Sequence, residues 1–189
     1  MKHSATLLLA ISALLLAGCG SRPAGTQSAT EHPADDVAEY QPRWRSHTVD
    51  STQYRKVFLA GTIDMGRSAD WQADLVARFR DSVGGRWLFF NPRRREFRAS
   101  PAEMEYQVAW ELAHLEAADL IVMNLLGDSR SPISLLEMGL HARSGRLLVA
   151  CSPDYYRYDN VRITCRRYGV PLYDSLEALL GDLLRQTDE

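Results

Sequence analysis

Two glutamates in this sequence occupy positions where a carboxylate can bind or act on a ligand. Glu137 lies within "SPISLLEMGLHA" (131–142), and a 3.6-residue period places it on the same side of a helix as Ile133, Leu136 and Leu140. We expect this side to face inward, where a charged carboxylate needs a role. A ligand pocket provides one; the alternative is a residue that only complements the positive end of the helix dipole.

The preceding helical segment carries a second set of polar residues. Gln107, Glu111 and His114 recur at i, i+4 and i+7 within 102–117, between two apolar sides. An amide and a carboxyl supply the donors and acceptors that a planar heterocycle requires. In this interpretation Gln107 and Glu111 face the same cleft as Glu137, whereas the alternative is a solvated edge on a mostly buried helix.

Apolar strands alternate with amphipathic helices along the domain that must position these residues. The strands are predicted at 56–62, 86–92, 119–126, 146–152 and 170–173. Helices are predicted between and after them, at 69–82, 102–117, around Glu137, at 157–168 and from 175. The pattern predicts an α/β fold with a doubly wound, five-stranded parallel sheet of the Rossmann or flavodoxin-like kind. Ligands bind at the carboxyl ends of such strands, close to Glu137.

The first 55 residues have the features of an export signal followed by a tether. A basic start, an apolar run over 7–17 and small residues before Cys19 are typical of a secretory signal. "LLAGC" resembles a bacterial lipobox, so we expect a signal peptide over 1–18 and acylation of Cys19. A transmembrane anchor is the alternative, but the apolar run is short for a bilayer. Residues 19–55 predict a flexible tether before a domain at 56–189.

The expected location of the protein and its net charge limit the kinds of partner that it can bind. Gly20 and Ser21 do not suggest retention at the inner membrane, so we expect a lipid-anchored protein of the bacterial cell envelope, at the outer membrane and facing the periplasm. There Cys151 and Cys165 either form a disulfide or remain buried thiols, and the sequence leaves both alternatives open. A net charge of −2 and a pI near 6.2 argue against a nucleic acid polymer as partner.

Five sequence blocks carry a resemblance to a known family. They are "VFLAGTID", "DWQ", "LFFNPRR", "YQVAWELAHLEAADLIVMNL" and "SPISLLEMGLHA". In order and spacing they resemble the nucleoside 2-deoxyribosyltransferase family, especially its divergent "2-deoxyribosyltransferase-like" branch, over roughly 56–175. The resemblance implies transfer or hydrolysis at the N-glycosidic bond of a nucleoside or nucleotide, with no metal or cofactor. It also implies a homo-oligomer, because the family often completes its site with a neighbouring subunit.

The resemblance also implies a role for each candidate residue. Glu137 matches the nucleophile that attacks the anomeric carbon, and Glu111 matches the carboxylate that contacts and protonates the base. The other candidates would contact the substrate: Gly61, Thr62 and Asp64 over the sugar, Asn91, Arg93 and Arg94 along the adjacent rim, together with Gln107 and Ser131.

Two departures from the family pattern leave alternatives open. Classical transferases have an Asp-Ser-Gly or Asp-Gly-Thr type stretch before the nucleophile, whereas this chain has "SPIS" at 131–134. The preference for 2-deoxyribose over ribose therefore stays open. Residues 93–95 are arginines, which either clamp the phosphate of a nucleotide or form a solvated basic loop. The alternative function is a catalytically silent, membrane-anchored module that binds a nucleotide or a protein, which an exported location favours.

Overall fold

The computed structural model describes residues 36–82, 84–96, 98 and 100–185. The strands are β1 (Val37–Gln41), β2 (Trp44–Arg45), β3 (Arg55–Gly61), β4 (Trp87–Phe90), β5 (Leu120–Leu125), β6 (Leu147–Cys151) and β7 (Leu172–Tyr173). The α-helices are α1 (Trp71–Ser82), α2 (Pro101–Ala117), α3 (Pro132–His141), α4 (Tyr158–Tyr168) and α5 (Leu176–Arg185). Short 3-10 helices lie at Ser51–Gln53 and Asp64–Gly66.

The strands of the described residues form one sheet in the order β2-β1-β4-β3-β5-β6-β7. Neighbouring strands are parallel, except for β1 and β2, which are antiparallel. Strands β3 to β7 are the five that the sequence predicted, so the α/β class and the parallel sheet are confirmed. The predicted limit of five strands is wrong, because β1 and β2 extend the sheet beyond β4.

This strand order creates a switch point between β3 and β5. After β3 the chain continues to β4 on one side, whereas after β5 it continues to β6 on the other. Such a reversal opens a crevice beyond the carboxyl ends of the two strands, where ligands of open α/β sheets bind. The site predicted from the sequence lies at this end.

Helices cover both faces of the sheet. On one face, α2, α3 and α4 contribute Leu115, Met138 and Val161 to a core cluster with the inward residues of the strands. On the other face, α1 and α5 contribute Phe79 and Leu183 to a second cluster. The strands are buried on both sides because they are almost continuously apolar, as parallel strands between two helical layers must be.

Residues 36–55 depart from the sequence-based prediction. Strand β1 pairs in parallel with β4, and its Ala38 and Tyr40 belong to the core cluster beneath α2, α3 and α4. The predicted tether over 19–55 is therefore wrong for 36–55. The five residues of β1 carry too short a pattern to identify a strand, and their burial comes from pairing with a distant segment. The predicted signal peptide (1–18) and Cys19 lie outside the described residues.

Helix α3 turns a different side to the sheet than its apolar period suggested. Ile133, Leu136 and Leu140 are 59%, 61% and 59% exposed. The buried side consists of Ser134, Glu137, Met138 and Ala142. Glu137 does face inward, as predicted, but its neighbours on that side are not the apolar stripe. The stripe instead leaves apolar surface facing outward.

The two cysteines of the domain are free thiols in the structure. Cys151, at the end of β6, and Cys165, in α4, are both buried in the same core cluster. Burial raises the pKa of Cys151 to about 12 and that of Cys165 to about 11, which keeps both in the unreactive thiol form. In the part of the chain that the structure describes, no helix is long and apolar enough to cross a membrane.

Candidate active site

The carboxyl ends of β3 and β5 approach each other at Gly61. Gly61 has a φ of +126°, and a Cβ atom there would lie 2.2 Å from the backbone oxygen of Asn124. Only glycine accommodates this conformation together with this close approach. Gly61 therefore shapes the rim through its backbone, and its predicted place over the sugar stays a prediction.

Glu137 lies in the second turn of α3, beside this rim. Its side chain is only 8% exposed, and among the described residues none donates a hydrogen bond to its carboxylate. Burial and, second to it, the charge of Glu111 raise the pKa of Glu137 to about 8. A buried carboxyl without a partner opposes folding, which indicates a role other than stability.

Glu111 and Gln107 lie together on α2, as predicted. Gln107 Nε2 donates to Glu111 Oε1 at 2.6 Å and to the backbone oxygen of Pro92 at 3.0 Å. Burial raises the pKa of Glu111, against the opposing effects of the Gln107 hydrogen bond and the Arg94 charge. Gln107 Oε1 is buried and has no hydrogen-bond partner in the described part of the protein, so it can accept a hydrogen bond from a ligand.

Glu111 and Glu137 act on each other electrostatically from neighbouring helices. Ionisation of Glu111 raises the pKa of Glu137, so the two carboxyls lose their protons in two coupled steps. Between those steps the pair carries one proton and one negative charge. A carboxylate beside a carboxylic acid is the combination needed for nucleophilic attack and protonation of a leaving group.

His114, the third member of the polar stripe, lies away from this pair. Its ring stacks on Trp110 with centroids 4.0 Å apart and contacts the edge of Phe90 at 4.5 Å. Its Nδ1 lies 2.7 Å from the backbone oxygen of Trp110, and burial lowers its pKa. His114 therefore belongs to the packing beneath α2.

A chain of buried hydroxyls connects the loops after β3 and β5. Thr62 Oγ1 accepts from the backbone N–H of Leu126 at 3.1 Å and lies 2.8 Å from Ser131 Oγ. Ser131 Oγ lies 2.7 Å from Ser129 Oγ, which donates to Asp64 Oδ1 at 3.0 Å. Since the carboxylate can only accept and Thr62 already accepts an N–H, the hydroxyls donate from Thr62 to Ser131 to Ser129 to Asp64.

The residues of this hydroxyl chain combine burial with unusual backbone conformations. Ser131 precedes α3 with a φ of 39° and makes no capping hydrogen bond with its side chain. Thr62 is completely buried, and its hydroxyl fixes the start of α3 relative to β3. Asp64 also has a positive φ, of 48°. Strained backbone at both loops, close to α3, is typical of a functional site.

Asn91 and Arg93 are held by protein groups. Asn91 Nδ2 donates to Glu39 Oε1 at 2.8 Å, and Asn91 Oδ1 accepts from the backbone N–H of Arg93 at 3.0 Å. Arg93 is 8% exposed and donates to Gln72 Oε1 at 3.1 Å and to Ser68 Oγ at 2.9 Å. Its guanidinium therefore stabilises the loop after β3 in place of forming a phosphate clamp.

Arg94 points in another direction. Its side chain is 6% exposed, and its Nη2 lies 2.8 Å from Glu103 Oε2 at the start of α2. The guanidiniums of Arg93 and Arg94 thus contact different elements and do not converge on one anion. The solvated loop is also wrong for these two residues, since both are buried.

Sequence reasoning missed three buried polar residues near the site. Glu39 lies in the segment taken as a tether, where no pattern indicated a strand, and its carboxylate accepts from Asn91 and from Gln41 Nε2. Ser129 and Ser134 are each 4% exposed. Ser129 could have been found from its place after the carboxyl end of a predicted strand, whereas Ser134 required the correct orientation of α3.

The fold and site define an α/β protein with two interacting carboxyls, one buried and one half-buried, beside a sheet switch point. The described residues hold no group of three or more His, Cys, Asp or Glu side chains arranged for a metal ion. The chain belongs to the nucleoside 2-deoxyribosyltransferase-like family, whose model matches residues 54–155. Glu111 and Glu137 lie within the matched region. No curated protein matches the chain.

Proposed function

We propose that this domain breaks the N-glycosidic bond of a (deoxy)nucleoside or nucleotide and passes the sugar to water or to another base. The observation that carries the proposal is the pair formed by buried Glu137 and half-buried Glu111, whose ionisations are coupled. Family membership supplies the substrate class. The proposed enzyme needs no cofactor, because both roles are taken by carboxyl groups.

In the first step, the proton that Glu137 holds in the ligand-free protein passes to Glu111, and the ionised Glu137 attacks the anomeric carbon of the sugar. A carbon–oxygen bond forms to Glu137 while the carbon–nitrogen bond to the base breaks, and its electron pair moves to the base nitrogen. Glu111, in its protonated form, donates its proton to the departing base. The products are a glycosyl ester on Glu137, a free base and an ionised Glu111.

In the second step, the ester is resolved. Water or the nitrogen of a second base attacks the anomeric carbon, Glu137 leaves as a carboxylate, and Glu111 recovers a proton from the attacking group. Gln107 supports recognition of the base, because its unpaired Oε1 accepts a hydrogen bond and its Nε2 orients Glu111. The same active site performs hydrolysis or transfer according to which acceptor reaches the ester.

Base release and covalent trapping test the proposal together. We would incubate the purified protein with a panel of ribo- and deoxyribonucleosides and their 5′-monophosphates, with and without a second base, and separate the free bases chromatographically. A 2-fluoro sugar analogue should add its mass to the peptide that contains Glu137 and to no other. Tight ligand binding without base release from any substrate would support the catalytically silent module instead.

We also propose that the protein is exported and anchored by lipid at Cys19, on the strength of the lipobox-like "LLAGC". Acylation with two or more chains would hold it stably on a membrane. Cys19→Ala should remain an unacylated precursor, and metabolic labelling with a fatty acid measures this directly. Labelling of the variant to the parental level would refute the assignment of Cys19.

Apolar surface supports a further proposal, that two copies associate through the layer of α2, α3 and α4. Ten large apolar side chains of the described residues are strongly exposed, and all except Met65 lie on these helices or directly before α4: Met104, Val108, Leu112, Ile133, Leu136, Leu140, Tyr156, Ile163 and Tyr168. In a twofold arrangement with parallel helices, exposed Glu116 near the end of α2 would face exposed Arg166 and Arg167 near the end of α4. The surface is therefore complementary to itself.

Sedimentation velocity tests this association. Leu136→Asp places a charge in the middle of the apolar layer, so we expect the parent to sediment as a dimer and the variant as a monomer. Ala77→Asp, on the exposed side of α1, is the matched control and should behave as the parent. If the parent protein remains monomeric when its concentration is raised 100-fold, the proposal is contradicted.

A further inference from the structure

The N-terminal hairpin formed by β1 and β2 lies outside the region that the family model matches, 54–155. Its turn nevertheless reaches the helix that carries Glu111. Arg43, in this turn, has a φ of 62°, a conformation that non-glycine residues rarely adopt. A strained residue is retained where the surrounding contacts compensate for it, so the contacts of Arg43 indicate what the hairpin does.

Arg43 is attached to the first turns of α2. Its Nη2 and Nε lie 2.8 and 3.3 Å from the two carboxylate oxygens of Glu103. Its backbone N–H donates to the hydroxyl of Tyr106 at 3.3 Å, and its guanidinium lies 4.0 Å from the centroid of the Tyr106 ring. The bidentate contact between the Arg43 guanidinium and Glu103 fixes the orientation of the Glu103 carboxylate.

Glu103 also binds Arg94, so one carboxylate is shared by two guanidiniums. Arg94 Nη2 lies 2.8 Å from Glu103 Oε2, and its guanidinium lies 5.8 Å from the Tyr106 ring. Two positive charges against one negative charge leave a net positive charge at this end of α2. Because the side chain of Arg94 is only 6% exposed, solvent screens that charge weakly.

This positive charge lies near the carboxyl pair. Gln107 follows Tyr106 on α2 and hydrogen-bonds Glu111 one turn further along. The charged groups that affect Glu111 are Arg94, which lowers its pKa, and the coupled Glu137 on α3. Contacts thus run from the hairpin through Glu103 to Arg94, and from Pro92, two residues before Arg94, through Gln107 to the proposed acid.

We propose that the β1–β2 hairpin is a working part of the active site: Arg43 fixes Glu103, and Glu103 holds Arg94 together with the loop whose Pro92 oxygen binds Gln107, the hydrogen-bond partner of Glu111. Held there, the charge of Arg94 favours the ionised form of Glu111. Arg43 and Glu103 are positioning residues, because they act through Arg94. The inference rests on the proposed function, in which Glu111 must hold a proton to release the base. The inference assigns a role in the active site to the β1–β2 hairpin, which lies outside the region that the family model matches.

The two members of the Arg94–Glu103 pair should shift Glu111 in opposite directions. Arg94→Gln removes a nearby positive charge, so the pKa of Glu111 should rise; Glu103→Gln leaves two unneutralised guanidiniums, so it should fall. Arg43→Gln should raise the pKa of Glu111 less than Arg94→Gln does, because Arg43 acts on Glu111 only through Glu103 and Arg94. A purely structural role gives no reason for opposite signs.

Carbon-13 NMR of glutamate side-chain carboxyls, titrated in the full-length protein, measures these shifts without requiring turnover. Glu111→Gln assigns the signal. Arg86→Gln is the control, because Arg86 pairs with Asp36 at 3.7 Å beside β1 and makes no contact with Glu103. Shifts of Glu111 in opposite directions, with none in the control, would support the inference, and the pH profile of base release should move with them.

The outcomes separate the inference from the proposed function. If the parent releases no base but Glu111 shifts in the two opposite directions, the charge network stands and the enzymatic proposal fails. If the parent is active and Glu111 titrates identically in Arg94→Gln, Glu103→Gln and the parent, the inference is overturned. Equal shifts of the same sign in both variants would also overturn it, because they would reflect a general loss of structure.

Discussion

Replacement of Glu137 by glutamine should remove turnover while leaving the fold intact. Glutamine has nearly the same volume and keeps a hydrogen-bonding group at the buried position, but it cannot form the glycosyl ester. We expect base release to fall by at least about a thousandfold, which corresponds to about 4 kcal/mol of lost transition-state stabilisation. Single-turnover measurements of base release at saturating substrate follow this loss, and equilibrium dialysis checks that the ligand still binds.

The comparison variants distinguish the nucleophile from the acid. Glu111→Gln should lose less activity, and least with substrates whose bases depart easily without a proton. Glu105→Gln removes an exposed carboxylate from α2 and should match the parent. Parental rates in Glu137→Gln, with any substrate that the parent accepts, would show that Glu137 is not the nucleophile.

The sequence predicted the helices and central strands of the fold better than the way in which these elements pair and pack. Strand β5 is apolar except for Asn124 and is buried along its whole length, and such a run between turn signals identifies a central parallel strand. Strand β1 carries no comparable signal, because Ala38 and Tyr40 become buried only when β1 pairs with β4. A local pattern cannot report a pairing between residues fifty positions apart.

The orientation of α3 shows a second limit of prediction from the sequence. Ile133, Leu136 and Leu140 follow a helical period, but so do Ser134 and Met138 on the buried side. A period determines that a helix has two sides, and the packing of neighbouring elements decides which side is covered. Apolar residues on the outer side then become candidates for contact with another molecule.

Spacing within one helix predicted which side chains meet. Gln107 and Glu111 stand four residues apart, and the structure brings them within 2.6 Å of each other. The contacts of the arginines could not be predicted in this way, because they depend on partners supplied by other loops. Arg93 binds the loop after β3, whereas Arg94 binds Glu103, although the two are adjacent in sequence.

Glu137 should also make the protein less stable as the pH rises. Below about pH 4.5 the carboxyl is protonated in both the folded and the unfolded chain and contributes no difference. Between 4.5 and about 8 the unfolded chain releases this proton while the folded chain retains it, so the free energy of unfolding decreases with pH. Above about 8 both states are ionised and the loss is complete, with an upper limit of about 5 kcal/mol.

Glu137→Gln should abolish this pH dependence, because glutamine does not ionise. Leaving a buried amide incompletely paired costs about 1–3 kcal/mol at every pH, so the variant can be the less stable protein at pH 5. The difference in unfolding free energy between variant and parent should then shift in favour of the variant by several kcal/mol at pH 8.5. Urea unfolding at the two pH values measures both quantities, and the titrating groups that do not interact with Glu137 cancel in the difference. If the difference in unfolding free energy between variant and parent is equal at pH 5 and pH 8.5, Glu137 is ionised in the folded protein at both pH values. A partner would then stabilise the ionised form, and burial of Glu137 would not destabilise the protein as the pH rises.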